Sequence, residues 1–97
     1  MTREDAIRRL LEHEAELKRL GVQQLFLFGS TARDEAKDGS DVDLFFDHER
    51  GSMGLFQLMD VRDRTADILG HKVDLLTREG IHPRLRDRIE ASAVRVF

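Results

Sequence analysis

The stretch Val22-Gln23-Gln24-Leu25-Phe26-Leu27-Phe28-Gly29-Ser30 decides the fold. Val22 to Phe28 is apolar, aromatic at two positions and too short for a helix of its own. It therefore reads as a strand buried on both faces and central in a sheet. Gly29 ends it, and Ser30 to Glu35 reads as a short helix that starts immediately after the strand, followed by the polar loop Lys37-Asp38-Gly39-Ser40.

The flanking elements alternate. Asp41 to Phe46 and Lys72 to Thr77 are predicted strands, separated by a helical stretch from about Gly54 to Leu69. In that stretch Leu55, Met59, Ala66 and Leu69 keep helical spacing, Arg62 interrupts the stripe and Gly70 closes it. On the N-terminal side Thr2 can cap a helix with Asp5 three residues on. Apolar residues then recur at Ile7, Leu10, Leu11, Leu17 and Leu20 until Gly21, which predicts one amphipathic helix over 3–20, with Glu14 falling on its apolar stripe. A last helix from Pro83 to about Ala91 should bury Leu85 and Ile89, and Val94-Arg95-Val96 can form a terminal strand. The order is helix, strand, short helix, strand, helix, strand, helix.

Composition narrows the function. The 97 residues (11.2 kDa) suit one domain spanning 1–97. With 36% charged residues and a longest uncharged apolar run of Leu25 to Phe28, no stretch approaches the roughly 20 residues of a membrane span. Met1 to Asp5 lacks the order of a secretory signal and there is no cysteine. A cytoplasmic location is the expectation, and disulfides, thiolate nucleophiles and cysteine-bound zinc are excluded. Net charge is -3 with basic and acidic residues interspersed, so direct binding of nucleic acid is not expected.

Three features carry chemistry. Gly29-Ser30 at a strand-to-helix junction is compatible with an ordinary turn and helix cap. It is also an arrangement in which a glycine lets a phosphate approach the backbone while free N–H groups and the Ser30 hydroxyl bind it, a weak signal by itself. Asp41 and Asp43 share one strand face by the period of two, with Val42 and Leu44 on the opposite, apolar face. Two such carboxylates repel unless a cation neutralises them, although a solvated strand face would also tolerate them. Asp74, flanked by Val73, Leu75 and Leu76, is costly in a strand without a partner. If the two Asp-bearing strands are neighbours, Asp74 lies across from Asp43 with Cβ atoms about 4.5–5.5 Å apart. Oxygen ligands alone favour Mg²⁺ or Mn²⁺ shared with substrate phosphates, and two such metals can assist in-line displacement of pyrophosphate.

In this combination Phe28-Gly29-Ser30-Thr31-Ala32-Arg33, Ser40-Asp41-Val42-Asp43-Leu44 and Val73-Asp74-Leu75 resemble the signature of the DNA-polymerase-β-like nucleotidyltransferase superfamily. The whole span is similar to the minimal nucleotidyltransferases, including MntA-type antitoxins of HEPN/MNT toxin–antitoxin pairs. The resemblance implies an α/β (α+β) fold, a small mixed sheet with helices packed on it, and metal-dependent transfer of AMP from ATP to a hydroxyl. By family role Gly29 and Ser30 would bind the triphosphate, Asp41 and Asp43 would hold the metals, and Asp74 would complete the site and help activate the acceptor. In HEPN-associated members that acceptor is a tyrosine of the toxin, an RNase. Arg33 would contact phosphate or pair with an acid such as Asp34 or Asp38. One departure is Asp34, where many relatives carry glycine. It would weaken nucleotide binding if turned inward, or sit in the first turn of the short helix and complement its dipole.

The remaining candidates read as surface. His13, His48, His71 and His82 have no metal-ligand spacing, Asp47 falls in a solvated loop, and Arg84-Leu85-Arg86-Asp87-Arg88 is the wet face of the last helix. The leading expectation is an AMP-transferring antitoxin in complex with a HEPN-domain toxin. The alternatives are an antitoxin acting by contact alone, and a small-molecule nucleotidyltransferase completed by a separate helical subunit.

Overall fold

In the computed structural model, which describes all 97 residues, the deciding stretch forms strand β1 (Gln24–Phe28). Three more strands join it: β2 (Val42–Asp47), β3 (Val73–Thr77) and β4 (Val94–Arg95). The sheet order is β3-β2-β1-β4, so β1 is internal as its composition demands. It pairs antiparallel with β2 and β4, while β2 and β3 run parallel. The parallel pair requires a long crossover, supplied by a fifteen-residue helix (Leu55–Leu69). The fold is the small mixed sheet with helices that the resemblance implies, and no helix is long and apolar enough to cross a membrane.

Numbering helices in chain order, α1 is Arg3–Leu11, α2 Glu14–Arg19, α3 Gly29–Ala32, α4 Leu55–Leu69 and α5 Pro83–Ser92, with a 3-10 turn at Arg78–Gly80 before α5. The helix expected over 3–20 is thus two. His13 explains the break: its N–H turns to the carbonyl of Leu10, while its Nδ1 lies 2.9 Å from the Arg9 carbonyl that a continuing helix would use. Glu14 then opens α2 and pairs with Lys18 at 2.7 Å instead of entering the core.

One face of the sheet is the main core. Leu25 and Leu27 of β1, Val42, Leu44 and Phe46 of β2, and Val73 and Leu75 of β3 pack against Ala6, Leu10 and Leu17 from α1 and α2, and Val61 and Leu69 from α4. Each buried Leu or Val contributes about 1.5–3 kcal/mol over its exposed state. The inward side of α4 is Val61, Thr65 and Leu69, with Leu58 and Ala66 partly buried beside them, so of the expected line Ala66 and Leu69 face the core while Leu55 and Met59 do not. Leu55 remains 69% exposed, and the buried Thr65 hydroxyl is satisfied by the carbonyls of Val61 and Arg62. Gly70, at φ 66°, closes α4, and Arg9 donates to the freed Leu69 carbonyl at 3.0 Å.

The opposite face of β1 is only half-buried, which corrects the expectation of burial on both sides. Phe26 stacks there on Phe45, and the Phe28 ring lies tilted against it. The Arg78 guanidinium lies over the Phe26 and Phe45 rings at 4.8 and 5.1 Å, binds Asp47 through two bonds of 2.6 and 3.0 Å, and reaches Glu90 at 3.1 Å. Asp47 is therefore the paired last residue of β2, not part of a wet loop. The carboxylates hold the Arg78 pKa above its ordinary value, chiefly through the Asp47 hydrogen bond. Helix α5 buries none of its residues: Leu85 stays 45% exposed, and the buried apolar residue of this segment is Ile81, just before the helix. Arg86 of that helix turns toward the carbonyls of Glu79 and Ile81.

Candidate active site

At one end of the sheet the C-terminus of β1 meets the N-terminal ends of β2 and β3. The register places Phe28 opposite Asp43, and Asp43 opposite Asp74. The neighbouring strands inferred from sequence are thus adjacent, with Asp43 and Asp74 side by side. Asp41 lies one residue before β2, outside the ladder, so it belongs to the loop end rather than to the strand face expected for it.

Gly29 follows at φ 72°, and a Cβ added to it would collide with Oδ2 of Asp43 and lie 3.1 Å from its Cγ. The carboxylate of Asp43 therefore occupies the space that a side chain at position 29 would take. Burial raises the Asp43 pKa, with further rises from Asp74 and Asp41, and Arg33 opposes them. No arginine or lysine forms an ion pair with any of the three. As placed, they do not close into a three-ligand group. Their donors are all carboxylate oxygens without an ion-pair partner, a donor chemistry that suits a hard divalent cation.

The short helix expected over Ser30–Glu35 is shorter and its end is informative. After α3 the Glu35 N–H bonds the Ser30 carbonyl at 2.8 Å and the Asp34 N–H bonds that of Thr31 at 3.1 Å, with Asp34 itself at φ 57°. This is the double closure that usually places glycine at the left-handed residue. Asp34 thus lies at the C-terminal end of α3, neither turned into the site nor in the first turn. Its Oδ1 accepts the Arg3 N–H at 2.7 Å, capping the start of α1, while Arg3 also reaches the Ala32 carbonyl at 3.4 Å. Asp34→Ala should cost about 1–2 kcal/mol, losing the cap and keeping the left-handed strain. Asp34→Gly, which relieves the strain, should stay within about 0.5 kcal/mol; urea midpoints of the two variants decide this.

Arg33 pairs with Glu35 at 3.0 Å, not with Asp34 or Asp38, and both partners are more than half exposed, so the pair is weak and easily exchanged. Ser30 is half-buried in the first turn of α3. Thr31, not singled out from sequence, is 1% exposed with its hydroxyl unpartnered. Lys72 and Arg62 were also missed: with Asp41 and Asp74 they line a cavity of about 580 Å³ between β3 and α4. Lys72 was legible as a residue of Asp74's parity two positions earlier. Of the histidines, His82 caps α5 through the Arg84 N–H and His48 lies 3.4 Å from Glu79.

Carboxylates beside a glycine turn are compatible with a nucleotidyltransferase, and sequence comparison shows that class. The chain belongs to the nucleotidyltransferase domain family, whose model matches residues 8–96. It is 40% identical over 77 residues, 79% of this chain and 82% of the relative, to a Methanocaldococcus jannaschii protein whose name places it among the protein adenylyltransferases. It is 36% identical over 73 residues, 74% of this chain and 73% of the relative, to the protein adenylyltransferase MntA of Thermococcus cleftensis. A structure described as a minimal nucleotidyltransferase superposes with TM-score 0.83 at 31% identity, covering 97% of this chain and 95% of that one. Two further structures share the fold at 17% identity. One is a toxin–antitoxin with AMP-PNP (TM-score 0.74; 94% and 72% covered). The other is a tri-AMPylated Shewanella oneidensis HEPN toxin in complex with MNT antitoxin (TM-score 0.61; 92% and 71% covered).

Proposed function

We propose that this chain moves AMP from ATP to a tyrosine hydroxyl of a HEPN-domain toxin RNase, in a Mg²⁺-dependent reaction, and so acts as the toxin's antitoxin in the cytoplasm. The observation that carries this reading is the Asp43–Asp74 pair, in register and with no ion-pair partner on either carboxylate, beside a glycine with no side chain. Further support comes from relatives named protein adenylyltransferases and from toxin–antitoxin complexes of the same fold.

In this reaction the acceptor oxygen attacks the α-phosphorus, the bond from that phosphorus to the bridging oxygen of pyrophosphate breaks and pyrophosphate leaves, and the hydroxyl proton passes to the Asp74 carboxylate and from there to solvent. Gly29 and the Ser30 hydroxyl bind the triphosphate, and Arg33 exchanges Glu35 for a phosphate oxygen. Asp41, Asp43 and Asp74 would hold the metal, which when bound neutralises the developing charge. Asp74, the more exposed of the register pair, faces the acceptor and orients its hydroxyl. The chain contains no tyrosine, so a tyrosine acceptor comes from a second molecule.

The test is intact-mass spectrometry of a HEPN toxin incubated with the chain and Mg²⁺–ATP. Increments of one or more AMP groups are expected. A toxin that binds and is silenced with its mass unchanged would replace this reading with neutralisation by contact. Mg²⁺–ATP at 100 times its Kd should also stabilise the fold by about 2.7 kcal/mol, read as a rise in Tm.

A further inference from the structure

Across the sheet end the order is Gly29 after β1, Asp43 on β2, Asp74 on β3, and then the cavity at the free edge of β3. This cavity lies on the far side of the carboxylates from the glycine turn. Two cations line it, Lys72 just before β3 and Arg62 on α4.

Neither cation is committed. Lys72 shares the cavity with Asp41 and Asp74 yet forms an ion pair with neither. Its backbone is fixed, its carbonyl accepting the Val42 N–H at 3.0 Å, and its side chain is exposed. Arg62 meets only the adjacent Asp63, at 3.5 Å and with both side chains about half or more exposed, a pair of little worth. Once the carboxylates are neutralised by a divalent cation, the two side chains are free for an anion, and Arg and Lys both serve phosphate well.

We propose that Lys72 and Arg62 form a phosphate-binding pair on the β3 side of the site, a role that rests on the adenylyl-transfer reading above. Two sources can present a phosphate there: the polyphosphate of the incoming ATP, or the phosphodiester of an acceptor that already carries AMP.

Calorimetric titration of the whole chain separates them. One arm titrates Mg²⁺–ATP. The other titrates, with Mg²⁺ present, a synthetic peptide bearing O-adenylyl-tyrosine beside its unmodified counterpart. Lys72→Gln and Arg62→Gln should each weaken binding about tenfold in one arm, the loss of one charge-assisted hydrogen bond, and that arm identifies the source. Lys72→Arg should keep the affinity, and Lys18→Gln on α2 controls for net charge. Lys72→Gln and Arg62→Gln within twofold of wild type in both arms would overturn the assignment. Wild-type chain that binds no Mg²⁺–ATP would instead sink the adenylyl-transfer reading, so the two failures are distinguishable.

Discussion

Asp43→Asn should reduce adenylyl transfer by at least about 10²–10³-fold, the scale of removing one group that stabilises charge in a transition state, while making the apo-domain more stable. The two effects have one cause. Asp43 is half-buried against Gly29 and faces Asp74 and Asp41, so its ionised form is unfavourable in the folded chain until a cation arrives. Removing the charge relieves that penalty, and a Tm higher by about 2–4 °C is expected. The pH dependence has a definite sign. Because the folded pKa is raised, the native state holds the Asp43 proton more tightly than the unfolded chain does. Its contribution is full below the ordinary aspartate value and is lost as pH rises through the raised one. Wild-type apo stability should thus fall across that window, and Asp43→Asn should flatten the fall. Thermal melts of both proteins from pH 3 to 7 check it, and a lower Tm for the variant at neutral pH would make Asp43 a structural residue.

Gly29→Ala is expected to have the largest cost in stability. Position 29 is at φ 72°, a left-handed conformation that costs a residue with a Cβ about 1–2 kcal/mol. The added methyl also enters the space held by the Asp43 carboxylate, an overpacking worth about 1–3 kcal/mol more. A total of about 2–5 kcal/mol is therefore anticipated in a urea titration. The collision displaces the Asp43 carboxylate from its place beside Asp74, so nucleotide-dependent stabilisation should disappear. Double substitution provides the control: Asp43→Gly in the Gly29→Ala background removes the obstructing carboxylate and should recover the overpacking part alone. If Gly29→Ala melts like wild type, the close approach is not a constraint.

The sequence made the strands legible because their signals are local: apolar runs bounded by Gly29, Gly39 and Gly70, and aspartates that oppose strand propensity at Asp43 and Asp74. The pairing of those aspartates was inferable because period-two geometry and one neighbour relation suffice. The break at His13 was not legible, since it depends on a ring nitrogen competing with the backbone for the Arg9 carbonyl. The rotation of α4 was misread because Leu55 and Met59 have the right spacing but stay exposed, whereas Thr65, polar by type, is buried with its hydroxyl satisfied. Asp34 was misplaced for a similar reason: its role is set by Arg3, thirty-one residues earlier. The Arg78 cluster had a partial signal in Phe26, Phe28 and Phe45, but Asp47 and Glu90 meet Arg78 only through tertiary packing.

The two free edges of the sheet are unlike. β4 is two residues long and offers little backbone to a stranger, but β3 is five residues long and alternate residues along it turn N–H and C=O groups to the free side. Such an edge invites another chain to add itself, and charges on it are the usual deterrent. Here the deterrent consists of Asp74 within the strand and Lys72 just before it, flanking Val73 in an otherwise apolar segment. The charges that would serve the chemistry thus also stand on the edge that another chain would extend, so the same side chains answer two physical demands.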